Sequence, residues 1–156
     1  MEAGCYQGYT ASIIDQRVNF AELNKRYFLF DLFEWNEGDK HTKLAEHKQG
    51  LHEFVVSRFT DKPHIKIVKG YVPDSFEGVL PDKICFAHID LNDPMPEVGA
   101  FKAIYPRLEK FGVIIFDDYG WWHLSDQKRE LDLVAESLGE EILELPTGQG
   151  ILVKYG

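Results

Sequence analysis

Two short apolar runs that each end in aspartate constrain this chain more than anything else in it. Gly112-Val113-Ile114-Ile115-Phe116 leads into Asp117-Asp118-Tyr119-Gly120, and Ile84-Cys85-Phe86-Ala87-His88-Ile89 leads into Asp90. A continuous apolar run of this length reads as a strand buried on both faces, the environment of a parallel sheet covered by helices. The two runs lie about one βαβ unit apart. In open α/β sheets ligands bind beyond the carboxyl ends of the strands, where these acids fall. Three carboxylates gathered there repel one another unless something positive joins them. A divalent cation, a cationic cofactor or both would supply that charge.

The remaining pattern alternates strand-like and helix-like segments. Tyr9 to Val18 predicts a short helix, and Tyr27 to Asp31 an aromatic-rich strand. Lys43 to Phe59 carries Leu44, Leu51, Phe54, Val55 and Phe59 at helical spacing. His64 to Val68 predicts a strand closed by Lys69-Gly70, and Pro73-Asp74-Ser75-Phe76 a short helical turn. Glu97 to Phe111 repeats as a helix through Val98, Phe101, Ile104, Tyr105 and Leu108, with Gly112 as its stop. Ser125 to Leu138 predicts a helix ended by Gly139. Glu141 to Leu145 and Ile151 to Tyr155 predict a strand pair around Thr147-Gly148-Gln149-Gly150. Such alternation implies an α/β fold, a mainly parallel three-layer sandwich with an antiparallel strand pair at its C-terminal edge.

With 156 residues the chain suits one domain, 1–156, with a sizeable core. Its formal charge of −9, from 26 acidic against 17 basic residues, argues against nucleic acid or an anionic membrane as main partner. Cys5 and Cys85 have no metal-type spacing and read as reduced thiols of a cytoplasmic protein. No apolar stretch approaches a membrane span, and no signal peptide opens the chain.

The chain opens Met1-Glu2-Ala3-Gly4-Cys5-Tyr6-Gln7-Gly8. Glu-x-Gly-x-x-x-Gly between a strand and a helix lets backbone approach a ligand closely, because glycine has no Cβ to clash. It differs from the G-x-G-x-x-G of dinucleotide sites. Taken with Phe-Asp-Leu-Phe-Glu (30–34), Val-Lys-Gly-Tyr-Val-Pro-Asp-Ser (68–75), His-Ile-Asp-Leu-Asn (88–92), Tyr-Pro-Arg-Leu (105–108) and the 112–120 segment, it makes the whole chain resemble class I S-adenosylmethionine-dependent methyltransferases. The resemblance is nearest to the macrocin O-methyltransferase-like family. It implies the Rossmann-like methyltransferase fold. Family members carry a hydrophobic first strand before the Glu-x-Gly motif, whereas this chain begins at the motif. The expectation is therefore a domain truncated at its N-terminus, with the first strand largely absent.

The resemblance also assigns roles. Asp31, ending the second strand, would hold the ribose hydroxyls, and Phe33 would lie against adenine or serve as core. Glu2 and Gly4 would border the methionine end of the cofactor, Gly70 and Tyr71 would lie near adenine, and Cys5, Gly8 and Asp90 would also contact the cofactor. Asp90, Asp117 and Asp118 would share one Mg²⁺, an ion that favours oxygen ligands and retained water. Asn92 is a neutral ligand or an outer donor there. The competing account makes Asp117-Asp118 a helix cap and a solvated loop acid.

His88 shares a strand face with Asp90 and reads as a hydrogen-bonded core histidine. His123, in the loop after Trp121-Trp122, is a candidate general base, since imidazole changes charge near neutral pH; an acid of the Asp90/Asp118 cluster is the other candidate, and a surface histidine the competing reading. The tryptophans would wall an acceptor site or a subunit contact. The function expected is Mg²⁺-assisted O-methyl transfer to a hydroxyl of a small molecule of sugar or natural-product type. The alternative is a domain of the same fold that binds cofactor or a partner without catalysis. Exposed aromatics and a shortened sheet allow a homo-oligomer.

Overall fold

The computed structural model describes residues 1–39, 43, 45 and 47–156. They form two compact bodies, Glu2–Ser75 and Phe76–Gly156 together with Met1.

In the first body three parallel strands stand in the order β3-β2-β1. They are β1 (Glu2–Ala3), β2 (Tyr27–Asp31) and β3 (Ile65–Lys69). The first strand, expected to be largely absent, persists as two residues that pair Glu2 with Leu29 and Ala3 with Phe30. Helix α1 (Tyr9–Arg17) follows β1 as the sequence predicts, and α2 (Phe20–Leu23) is an addition too short to show periodicity. Helix α3 covers only Leu51–Arg58, not the whole of 43–59. Gly50 precedes it at φ +79, a left-handed conformation that interrupts a right-handed helix; Leu44 lies outside the described residues. Leu29, Phe30, Phe33, Val55 and Ala3 are fully buried and form the core of this body. A 3₁₀ turn over Asp74–Phe76 matches the predicted turn.

In the second body the order is β4-β5-β7-β6. Strands β4 (Ile84–Ile89) and β5 (Leu108–Phe116) are parallel, with Ile89 beside Phe116. Strand β7 (Gly150–Val153) runs antiparallel to β5 and to β6 (Leu143–Glu144), the expected closing pair in shortened form. The N-terminal ammonium donates to Phe86 O at 2.8 Å, and His88 N–H donates to Met1 O at 3.0 Å. Phe101 meets Phe116 edge-on at 5.0 Å, and both are fully buried, as are Ile104, Ile114, Leu131 and Leu152. Each such side chain contributes about 1.5–3 kcal/mol by leaving water.

Helix α4 differs most from expectation. It spans Pro94–Ile104, where the apolar spacing predicts 97–111. Asp93 accepts the Met95 N–H and Pro94 occupies the first turn, an ordinary start signal. Pro106 cannot donate the next helical bond, so the chain tightens into a 3₁₀ turn, Tyr105–Arg107, and then extends. Leu108 to Phe111 are therefore strand, and Gly112 lies inside β5 rather than ending a helix. Phe111 sits at φ +64, and a Cβ on Gly112 would meet Glu109 O at 2.8 Å. The register of β4 on β5 shifts opposite this stretch, between Ile84 and Phe86. Cys85, expected in an apolar setting, is exposed. Helix α5 (Ser125–Ser137) follows the prediction, with Glu140 N–H returning to Ala135 O past Gly139. No described helix is long and apolar enough to cross a membrane.

Candidate active site

The opening loop of the first body is built around one carboxylate. Asp31 ends β2, and its Oδ2 accepts the N–H groups of Cys5 at 2.8 Å and Tyr6 at 2.7 Å. Its Oδ1 accepts Phe33 N–H at 2.6 Å. Gly4 at φ +84, Tyr6 at +45 and Gly8 at +73 let the chain curl over that acid. Gly70 N–H donates to Asp31 O at 2.9 Å, which brings the end of β3 level with the end of β2. Burial raises the Asp31 pKa against the pull of the three amides. Burial, then Asp31, then Glu2 push the Cys5 thiol well up, so Cys5 is no nucleophile.

The negative field of Glu2 and Asp31, both buried, suits a cationic sulfonium and ammonium ligand. The glycines of this loop have packing duties besides. A Cβ on Gly8 would lie 2.8 Å from Phe59 Cε2, and one on Gly70 would lie 3.0 Å from Ser75 Cβ. Gly8→Ala therefore adds left-handed strain of about 1–2 kcal/mol to a displaced phenyl ring. It should lower the urea midpoint measurably; an unchanged midpoint would mean the loop adjusts freely. Phe33 exposes no surface and packs against His52 at 5.2 Å. Its ring lies in the core of this body. Tyr71 is partly exposed, and its carbonyl accepts Ser75 N–H at 2.7 Å.

The second body brings the three aspartates together. The parallel β4–β5 pairing carries Asp90 and Asp117 off adjacent strand ends, and Asp117 N–H continues the ladder to Ile89 O at 2.9 Å. One carboxylate oxygen from each of Asp90, Asp117 and Asp118 lies within 4.8 Å of the others, all three partly buried. Asn92, at φ +55, donates from Nδ2 to Asp90 Oδ1 at 3.0 Å. Gln149 Nε2 donates to Asp117 Oδ1 at 2.8 Å. Burial raises the Asp118 pKa, Asp117 raises it further, and His123 opposes both. An all-oxygen, half-buried, mutually repelling set is what a hard divalent cation neutralises, so these residues fit Mg²⁺. His123 is exposed, edge-on to Trp121 at 5.3 Å and to Trp122 at 5.6 Å. His88 is buried, as its core reading expects.

Sequence reasoning missed two residues here. Gln149 is part of a hairpin signal, and nothing in that signal aims its amide at Asp117. Glu97 reads as an ordinary first-turn acid of α4, yet it is fully buried. Its carboxyl accepts Leu91 N–H at 2.8 Å. Burial pushes its pKa up to about 8, with the Leu91 bond opposing and Asp90 and Asp117 adding to the rise.

This arrangement of strands and strand-end acids defines the Rossmann-like fold of class I S-adenosylmethionine-dependent methyltransferases. Solved structures share it. The O-methyltransferase NovP is 15% identical at a TM-score of 0.75, covering 99% of this chain and 71% of that one. The calicheamicin methyltransferase CalS11 is 20% identical at 0.71, covering 98% and 70%. The S-adenosylhomocysteine-bound methyltransferase PaMTH1 of Podospora anserina is 15% identical at 0.67, covering 99% and 70%. No curated protein matches the chain. A family model described as a methyltransferase domain matches residues 1–119, and the chain belongs to that family.

Proposed function

We propose that this methyltransferase transfers a methyl group to a hydroxyl oxygen of a small sugar or natural-product acceptor with the help of Mg²⁺. The observation that carries the reading is the convergence of Asp90, Asp117 and Asp118 on one point within 4.8 Å. The names of similar structures support the oxygen acceptor: NovP is an O-methyltransferase and CalS11 a TDP-rhamnose 3′-O-methyltransferase.

Each residue then has a task. Glu2, the Gly70–Tyr71 turn and the Gly4–Gly8 loop that Asp31 shapes receive S-adenosylmethionine, which supplies an already activated methyl group. Asp31 offers its remaining lone pairs to the ribose hydroxyls. Asp90, Asp117 and Asp118 hold Mg²⁺, which would lower the pKa of an acceptor hydroxyl. Asn92 and Gln149 fix two of those carboxylates. His123 or Asp90 takes the proton, and Trp121 and Trp122 shape the acceptor side. Alignment of acceptor and methyl group is worth up to roughly 7–11 kcal/mol in favourable cases. On this reading residues 1–156 act as one cytoplasmic domain on a small molecule, not on nucleic acid or at a membrane; the net charge of −9 and the free cysteines support it.

Calorimetry with S-adenosylmethionine, with and without Mg²⁺, is the direct test. The expected result is saturable cofactor binding in both conditions and saturable Mg²⁺ binding to the chain alone. No heat in any titration would favour the alternative, a domain of this fold without catalysis.

A further inference from the structure

We propose that Glu97 is a positioning residue for the acid triad, holding the turn after β4 so that Asp90 stays directed at Asp117 and Asp118. The inference rests on the metal-site reading above and adds to it a residue outside the ligand set.

The geometry is a clasp on the segment Asp90-Leu91-Asn92. Glu97 Oε1 accepts the N–H of Leu91, the peptide directly after Asp90, at 2.8 Å. From the other side the Asn92 amide folds back onto Asp90 Oδ1 at 3.0 Å. Asn92 adopts φ +55 in this turn, a left-handed conformation that asparagine reaches more readily than other non-glycine residues. Glu97 can hold the turn because it is itself fixed. It stands in the first turns of α4, whose start is set by the Asp93 cap and Pro94, and it is completely enclosed.

Its second oxygen, Oε2, is buried and makes no well-formed hydrogen bond among the described residues, although the Asn92 N–H lies near enough to the carboxyl to favour its charged form. A carboxyl kept in that condition costs stability that an apolar side chain of similar volume would not. A hydrogen bond to the turn that carries Asp90 is the use the structure makes of this group.

The test titrates Mg²⁺ into the 1–156 chain without cofactor, comparing wild type with Glu97→Leu, Glu97→Met and Glu97→Gln at pH 6.5. Thermal melting without metal is recorded alongside. Groups that orient metal ligands typically change affinity by about 10–100-fold when removed. Glu97→Leu, or Glu97→Met if the branched side chain does not fold, should lose Mg²⁺ affinity in that range while melting no lower than wild type. Glu97→Gln keeps an acceptor for Leu91 N–H and should bind within about threefold of wild type. Wild-type affinity in the apolar variants would overturn the proposal, as would equal losses in all three. Absence of Mg²⁺ binding to the wild-type chain would remove the triad reading itself. Wild-type binding with unaltered apolar variants would leave the triad standing and remove only Glu97.

Discussion

Replacing Asp117 and Asp118 together by asparagine should lower Mg²⁺ affinity by at least about 100-fold, while S-adenosylmethionine affinity should stay within about threefold. Two unit charges 4 Å apart are worth about 1 kcal/mol in bulk water and several times that at a half-buried site. A divalent ion doubles each contribution, and the double variant removes two of them. A hundredfold loss, roughly 2.7 kcal/mol, is therefore a lower bound. The cofactor residues proposed in the first body are untouched. Without metal, the variant should also melt above wild type, because the repulsion that raises the Asp118 pKa is gone. Calorimetry and thermal melting in a chelator check the two halves. Mg²⁺ binding equal to wild type would mean that the ion, if it binds, sits elsewhere.

The second large effect belongs to Glu97 and is read through pH, not metal. Its pKa rises from 4.5 to about 8 in the folded chain. Between those values the folded state keeps a proton that the unfolded state has released. The native state thus binds more protons in this window, so stability falls as pH rises from about 4.5 to about 8, and this component is flat beyond. The full penalty is on the order of 5 kcal/mol, since each tenfold change in proton affinity is worth about 1.4 kcal/mol. Glu97→Gln has no such proton. Urea unfolding in a chelator should show the variant gaining on wild type by a few kcal/mol between pH 5 and pH 9. Parallel stability curves would show that the carboxyl is not held in the dry setting described.

The strand-end acids were legible because two patterns coincide at them. A run such as Val113 to Phe116 can be buried on both faces only in a sheet interior, and an aspartate directly after it must emerge at the carboxyl edge. Helix α4 was harder. Leu108 continues the helical spacing of Phe101 and Ile104, and Pro106 was the opposing signal. A proline's missing donor outweighs one more apolar residue in register. Leu108 instead pairs in β5, where the same side chain is equally buried.

Gln149 and Glu97 were not legible in their roles, since both depend on contacts between distant segments. Gln149 reaches Asp117 across 32 residues, and the distance is closed by the β5–β7 pairing. Glu97 lies only six residues from Leu91, but an acid in a first helical turn is ordinarily solvated. Phe33 shows the same limit from the other side. The sequence places an aromatic two residues past a strand, and only packing reveals that it faces inward.

The three amides gathered by Asp31 have a practical bearing on how that residue should be probed. An alanine at 31 would release Cys5, Tyr6 and Phe33 at once, so the loop would reshape before any ribose arrived. Lost cofactor affinity in such a variant would report scaffolding as much as contact. Ligands that differ only in their sugar hydroxyls, offered to the unaltered chain, separate the two contributions without disturbing the keystone.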